Sequence, residues 1–155
     1  MLLTKMQKFV ILIFLIFAQN LFAIENLVIQ PVQKTVSRVS IYRIEFTTTE
    51  AMAKDAEFVL TFPSDFNLSK VILASSKTIN GGFKVTRNNS KVIVSRSGLG
   101  DEIPTGKKVE ILLGNILNPG SAGNGYNVTI EINNGIGKAT QSAATFVEIQ
   151  EKAFE

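Results

Sequence analysis

The sequence predicts an all-β fold, an antiparallel sandwich of about 8–9 strands. Three observations predict it. The first is side-chain chemistry. Beyond residue 23 the chain carries 26 Val and Ile against 17 Leu and Ala, and 11 Thr besides. β-branched side chains are stiff at χ1 and pack well on a pleated surface. The second is periodicity. Tyr42, Ile44, Phe46 and Thr48 alternate with Arg43, Glu45 and Thr47, and Phe58, Leu60 and Phe62 with Glu57, Val59 and Thr61. Tyr126, Val128, Ile130 and Ile132 alternate with Asn127, Thr129 and Glu131. A period of two with one polar face describes a half-buried strand. The third is punctuation: turn-forming residues recur at roughly ten-residue spacing, as in sandwiches and barrels.

The first 23 residues stand apart. Seventeen of them are apolar, against 53 of the remaining 132. Lys5 and Lys8 give a positive start, Phe9 to Ala18 is an unbroken apolar run, and Gln19 and Asn20 end it. A membrane span needs roughly 20 apolar residues, so this run is too short. The pattern predicts a secretory signal peptide over 1–23, cleaved between Ala23 and Ile24. The expected remainder, 24–155, is a single domain with no stable membrane span. It keeps fourteen Lys and Arg against thirteen acids, a net charge of +1.

The remaining elements follow in chain order. Leu27 to Val32 predicts a first strand, ended or bent by Pro31. Val36 to Ile41 leads into the Tyr42 strand. Glu50 to Ala56 is the one helical candidate, a single turn at most. Val71 to Ala74 predicts a strand after the turn residues Pro63, Ser64 and Asp65. Phe83 to Arg87 and Lys91 to Ser95 flank Asn88-Asn89-Ser90 as a hairpin. Lys108 to Leu113 and Thr145 to Ile149 complete the set. Gly120 to Gly125 predicts a turn before the Tyr126 strand. The expected core is Tyr42, Ile44, Phe46, Phe58, Leu60, Phe62, Phe66, Leu68, Val109, Ile111, Leu113, Tyr126, Val128, Ile130 and Ile132. About 132 residues suffice for one such core.

Two stretches carry a resemblance. They are "SIYRIEFTTTEAMAKDAEFVLTFPSDF", Ser40 to Phe66, and "IPTGKKVEILLGNILNPGSAGNGYNVT", Ile103 to Thr129. Tyr42, Phe46, Phe62, Pro63, Phe66, Pro104, Gly106, Asn118, Pro119, Gly125 and Tyr126 match its pattern of strand and turn positions. The chain resembles an immunoglobulin-like β-sandwich module of bacterial and archaeal secreted and cell-envelope proteins. The resemblance implies the fold and no catalytic residues.

Composition narrows the chemistry. The sequence has no Cys, no His and no Trp. That excludes a disulfide framework, a thiolate zinc site, a Cys nucleophile and any imidazole base. No acid sits in a glycosidase-like motif. Asp101-Glu102 in the loop from Ser97 to Gly106 is the best calcium candidate, but no loop gathers the crowded oxygens calcium needs. Gly120 to Gly125 leads into a strand, whereas a phosphate loop opens a helix. Three glycosylation-like triplets, starting at Asn67, Asn88 and Asn127, are about what chance supplies. A sugar platform needs exposed large rings, and both tyrosines lie in the inward register. Lys107-Lys108 is the one adjacent basic pair and lies among Asp101, Glu102 and Glu110, which argues against a nucleic-acid partner.

The expectation is therefore a protein with no catalytic, cofactor or metal residues. It is secreted, periplasmic or on the cell surface, and serves as a structural or interaction module of a bacterial envelope. Its expected partner is an envelope protein or surface polymer. The alternative is a periplasmic or extracellular ligand- or carbohydrate-binding protein, which requires a concave pocket above roughly 300 Å³. The candidate interaction residues are Leu27, Val28 and Ile29, on a first strand expected at a sheet edge, where unpaired backbone groups can accept another strand.

Overall fold

The computed structural model describes residues 24–135 and 140–153. The expected leader, residues 1–23, lies outside the described residues. Nine strands form: β1 (Ile24–Pro31), β2 (Val39–Thr48), β3 (Glu57–Thr61), β4 (Ala74–Ser75), β5 (Phe83–Asn88), β6 (Lys91–Arg96), β7 (Lys108–Leu117), β8 (Gly123–Asn133) and β9 (Gln141–Ile149). They make two sheets, a four-stranded one in the order β1-β2-β7-β4 and a five-stranded one in the order β5-β6-β3-β8-β9. All named strand pairs are antiparallel. No helix occurs among the described residues.

The period of two sets the register. In β2, Tyr42, Ile44 and Phe46 are buried while Arg43, Glu45 and Thr47 are half-buried on the outer face. β3 supplies Phe58 and Leu60 from the opposite sheet, and Phe62 follows, 2 % exposed. Phe62 stands edge-on to Tyr42 at 5.7 Å and lies 5.4 Å from Phe66. Edge-on and tilted ring pairs suit the aromatic quadrupole and add to simple burial. Residues from both inner faces make one continuous core.

A buried polar clamp closes one end. The Tyr42 hydroxyl donates to Asn118 Oδ1 at 2.6 Å. Asn118 Nδ2 donates to the carbonyls of Gln33 and Thr35, both at 2.8 Å. The segment between β1 and β2 is thereby pinned to the end of β7. Burial pushes the Tyr42 phenol well above its ordinary range, because the charged form would lose its water.

Several expectations are corrected. Glu50–Ala56 forms no helix. Met52 instead forms an antiparallel backbone bridge with Ile103 and is fully buried, so burying a long apolar side chain overrides a weak helical preference. The strand expected over 71–74 shrinks to Ala74–Ser75, because Val71 closes a turn onto the Leu68 carbonyl. Gly123–Gly125 belong to β8 and to its bulge rather than to a free turn. That bulge leaves Tyr126 half-buried, with its hydroxyl donating to the Ser121 carbonyl at 2.7 Å.

Candidate interaction surfaces

The outer face of the four-stranded sheet has two halves. One half is polar: Glu45 and Glu110 pair across β2 and β7, and Arg43 Nε lies 3.2 Å from Glu110 Oε2. The other half is apolar. Val39 pairs with Leu117, and Val32 donates its N–H to the Ile41 carbonyl, which aligns Val32, Ile41 and β7. Ile41 and Leu73 border a hollow of about 280 Å³ whose floor includes Leu112, Gly114 and Ala74. Of eight exposed large apolar side chains among the described residues, six (Val28, Val32, Val39, Ile41, Ile72 and Leu73) lie on this sheet or its margin. Leu73 is 63 % exposed and Val32 66 %. Scattered apolar residues need no explanation, but a cluster on one face marks an interaction surface.

The sequence-predicted residues divide over this sheet. β1 forms its outer strand. Leu27 and Ile29 turn toward the core, and Val28 faces solvent. β1 bulges between Glu25 and Val28, with Asn26 in the left-handed region at φ 53°. Its N-terminal residue, Ile24, is 4 % exposed.

A second surface lies at one end of the sandwich, where the loop before β5 meets the loop before β7. It is a cavity of about 550 Å³ lined mainly by polar groups, among them Lys77, Asn80, Arg96, Asp101 and Lys107. Arg96, at the end of β6, is 5 % exposed. Its guanidinium donates to the Ala53 and Asp101 carbonyls, both at 2.6 Å, while its Nε is buried without a partner. Burial lowers its pKa, and the nearby charges of Asp101 and Asp55 oppose that. Asn80 grips Asp101 twice, accepting from its N–H at 2.8 Å and donating to its carboxylate at 2.7 Å. This approach needs glycine. A Cβ on Gly100 would run into the Asn80 carbonyl, and one on Gly81 (φ 86°) would meet the Gly100 nitrogen at 2.8 Å. Asp101 and Glu102 are exposed. No group of three or more metal-ligating acids occurs among the described residues.

Sequence reasoning missed both surfaces. Arg96 reads as an ordinary cation at a strand end, and only the three-dimensional approach of two loops buries it. The apolar half-face had a legible signal, since Val39 and Ile41 put apolar residues on the face that Arg43 and Glu45 mark as polar.

No family model matches this chain, and no curated protein does. Solved structures do. A cohesin module from a Clostridium perfringens family 33 glycoside hydrolase is 15 % identical with a TM-score of 0.55, covering 84 % of this chain and 99 % of that one. A collagen-binding domain of a Staphylococcus aureus adhesin is 12 % identical with a TM-score of 0.43, over 81 % and 97 %. A Nocardia farcinica protein of immunoglobulin-like fold is 12 % identical with a TM-score of 0.40, over 76 % and 81 %. The likeness is one of fold: the chain is an immunoglobulin-like β-sandwich of the kind found in bacterial modules.

Proposed function

We propose that this protein is a non-catalytic interaction module of the bacterial cell envelope, exported by residues 1–23 and starting at Ile24 once processed. It binds an envelope protein through the apolar half of its four-stranded sheet. One observation carries the reading: six of the eight exposed large apolar side chains gather on or beside that sheet. The fold likeness to a cohesin module of a glycoside hydrolase fits this reading. In it Val28, beside Glu45 on the polar half, borders the contact, while Leu27 and Ile29 hold the strand onto the core.

The test is covalent capture in the native envelope. Ile41→Asp with Leu73→Asp places two charges where a partner must desolvate them, and each substituted side chain is exposed enough to leave the fold intact. Capture of a defined partner by the unsubstituted protein should be lost in this variant. Equal capture by both refutes the face. N-terminal sequencing of exported protein should return Ile24, and a sequence starting at Met1 refutes the leader.

A second reading, a soluble ligand-binding protein, is favoured by the 550 Å³ polar cavity, which exceeds the roughly 300 Å³ expected of small-molecule sites. Glycan or metabolite binding that falls on Lys77→Ala with Lys107→Ala, and is untouched at Ile41 and Leu73, selects this reading over the first.

A further inference from the structure

Sheet edges present unpaired backbone groups, and natural proteins blunt them. Here the blunting is uneven. At β4 the edge strand is two residues long. Beside it the Ser76 hydroxyl donates to the Glu110 carbonyl, and the Glu110 N–H donates to Thr78 Oγ1 at 2.8 Å. Asn67 and Leu117 exchange both backbone bonds at the far end of β7. On the opposite side β1 lies against β9. Gln150 N–H donates there to the Lys34 carbonyl, and Val36 N–H to the Gln150 carbonyl. β1 carries a bulge and ends on Pro31.

β5 approaches β4 at only a few positions and has none of the other devices. It is six residues long, without proline, glycine or a bulge, and runs in unbroken register against β6. Backbone direction alternates along an antiparallel strand. Gly82 accepts from Ser97 N–H, so Gly82 points toward β6. The alternation then turns the backbone groups of Phe83, Val85 and Arg87 outward. No other described backbone group bonds to them.

The charge along β5 and β6 themselves has one sign, although Asp65 of the loop after β3 lines a hollow with Arg87. From Phe83 to Arg96 the chain carries Lys84, Arg87, Lys91 and Arg96 and no acid. Lys84, Arg87 and Lys91 are exposed. Two copies pairing β5 to β5 would bring these cations together, and like charges directly opposed destabilise a strand pair. An extended chain bearing acids meets the opposite situation, with backbone bonds and charge both satisfied.

We infer that the outer edge of β5 accepts an extended acidic peptide segment of a partner protein by strand addition, through the outward backbone groups of Phe83, Val85 and Arg87 and the cations Lys84 and Arg87. This site lies on the other sheet from the apolar face and does not depend on it.

The probe is a fluorescein-labelled ten-residue peptide alternating Glu with Val, titrated by anisotropy into the purified protein, with a Lys-for-Glu peptide as control. The Glu peptide should bind at least tenfold more tightly. Val85→Pro removes the central outward N–H without removing a bond to β6, since edge strands tolerate proline where the N–H faces solvent, and should weaken binding at least tenfold. Lys84→Glu with Arg87→Glu should reverse the preference, and Lys108→Glu, on the other sheet, should leave peptide affinity unchanged. Bound peptide should slow amide exchange at Phe83, Val85 and Arg87. Exchange and the charge-reversal variant decide the matter even where the proline variant is misfolded. Absence of Glu-peptide binding overturns the inference. So does equal affinity for both peptides, or exchange unchanged at those three amides. Binding of heparin that matches the peptide and survives Val85→Pro reduces the edge to a basic patch and overturns it too. A dimer abolished by Val85→Pro assigns the edge to a second copy instead.

Discussion

Tyr42→Phe removes one oxygen from the buried clamp and leaves the ring in place. The phenol donates to Asn118 Oδ1 at 2.6 Å, and Asn118 is 3 % exposed. Deleting the donor therefore orphans a buried acceptor, which costs about 1–3 kcal/mol. Phe is otherwise compatible with the site, since Tyr42 already stands edge-on to Phe62 and Phe66. A loss near 2 kcal/mol corresponds to a fall in Tm of roughly 4–8 °C. The same substitution has a second signature in alkali. Burial holds the folded phenol pKa far above that of the unfolded chain. A raised folded pKa gives stability that is complete below the unfolded pKa, about 10. Above it the unfolded chain releases the proton first, and stability falls by about 1.4 kcal/mol per pH unit. Urea melts of both proteins from pH 8 to 11 should show the gap between them narrowing above pH 10, because only the parent carries the buried phenol. A Tyr42→Phe protein as stable as the parent, with an identical slope in alkali, refutes the clamp.

Three further outcomes are expected. Phe62→Ala should lose roughly 3–5 kcal/mol, as for a truncated buried aromatic, while Thr61→Ala, on the half-buried outer face, should change little; equal effects in urea melts mean the register is wrong. Gly100→Ala should lower Tm and expose Arg96 by forcing the Asn80 and Gly100 backbones apart, measured by calorimetry and by amide exchange at Asp101; an unchanged protein shows that the loops do not need this approach. Chelator should leave Tm unchanged, since a ligand at 100-fold its Kd would contribute roughly 2.7 kcal/mol, and a clear fall in EDTA restores the calcium reading of Asp101-Glu102.

The sequence by itself determined which residues face inward along most strands. Alternation in Tyr42 to Thr48 and Phe58 to Phe62 encodes the sandwich locally, because a one-residue slip would turn every apolar group to solvent. The hairpin at Asn89 was legible for the same local reason, since Asn tolerates the left-handed φ of 52° found there. Tertiary structure decided the rest. Met52 is buried because Ile103, fifty residues on, supplies its bridge. Arg96 is buried because two glycine-containing loops close over it. The openness of β5 depends on what stands beside each sheet edge, and no local pattern states that. Side-chain periodicity is a property of neighbours in the chain, whereas a hollow, a buried cation or a free edge is a property of neighbours in space.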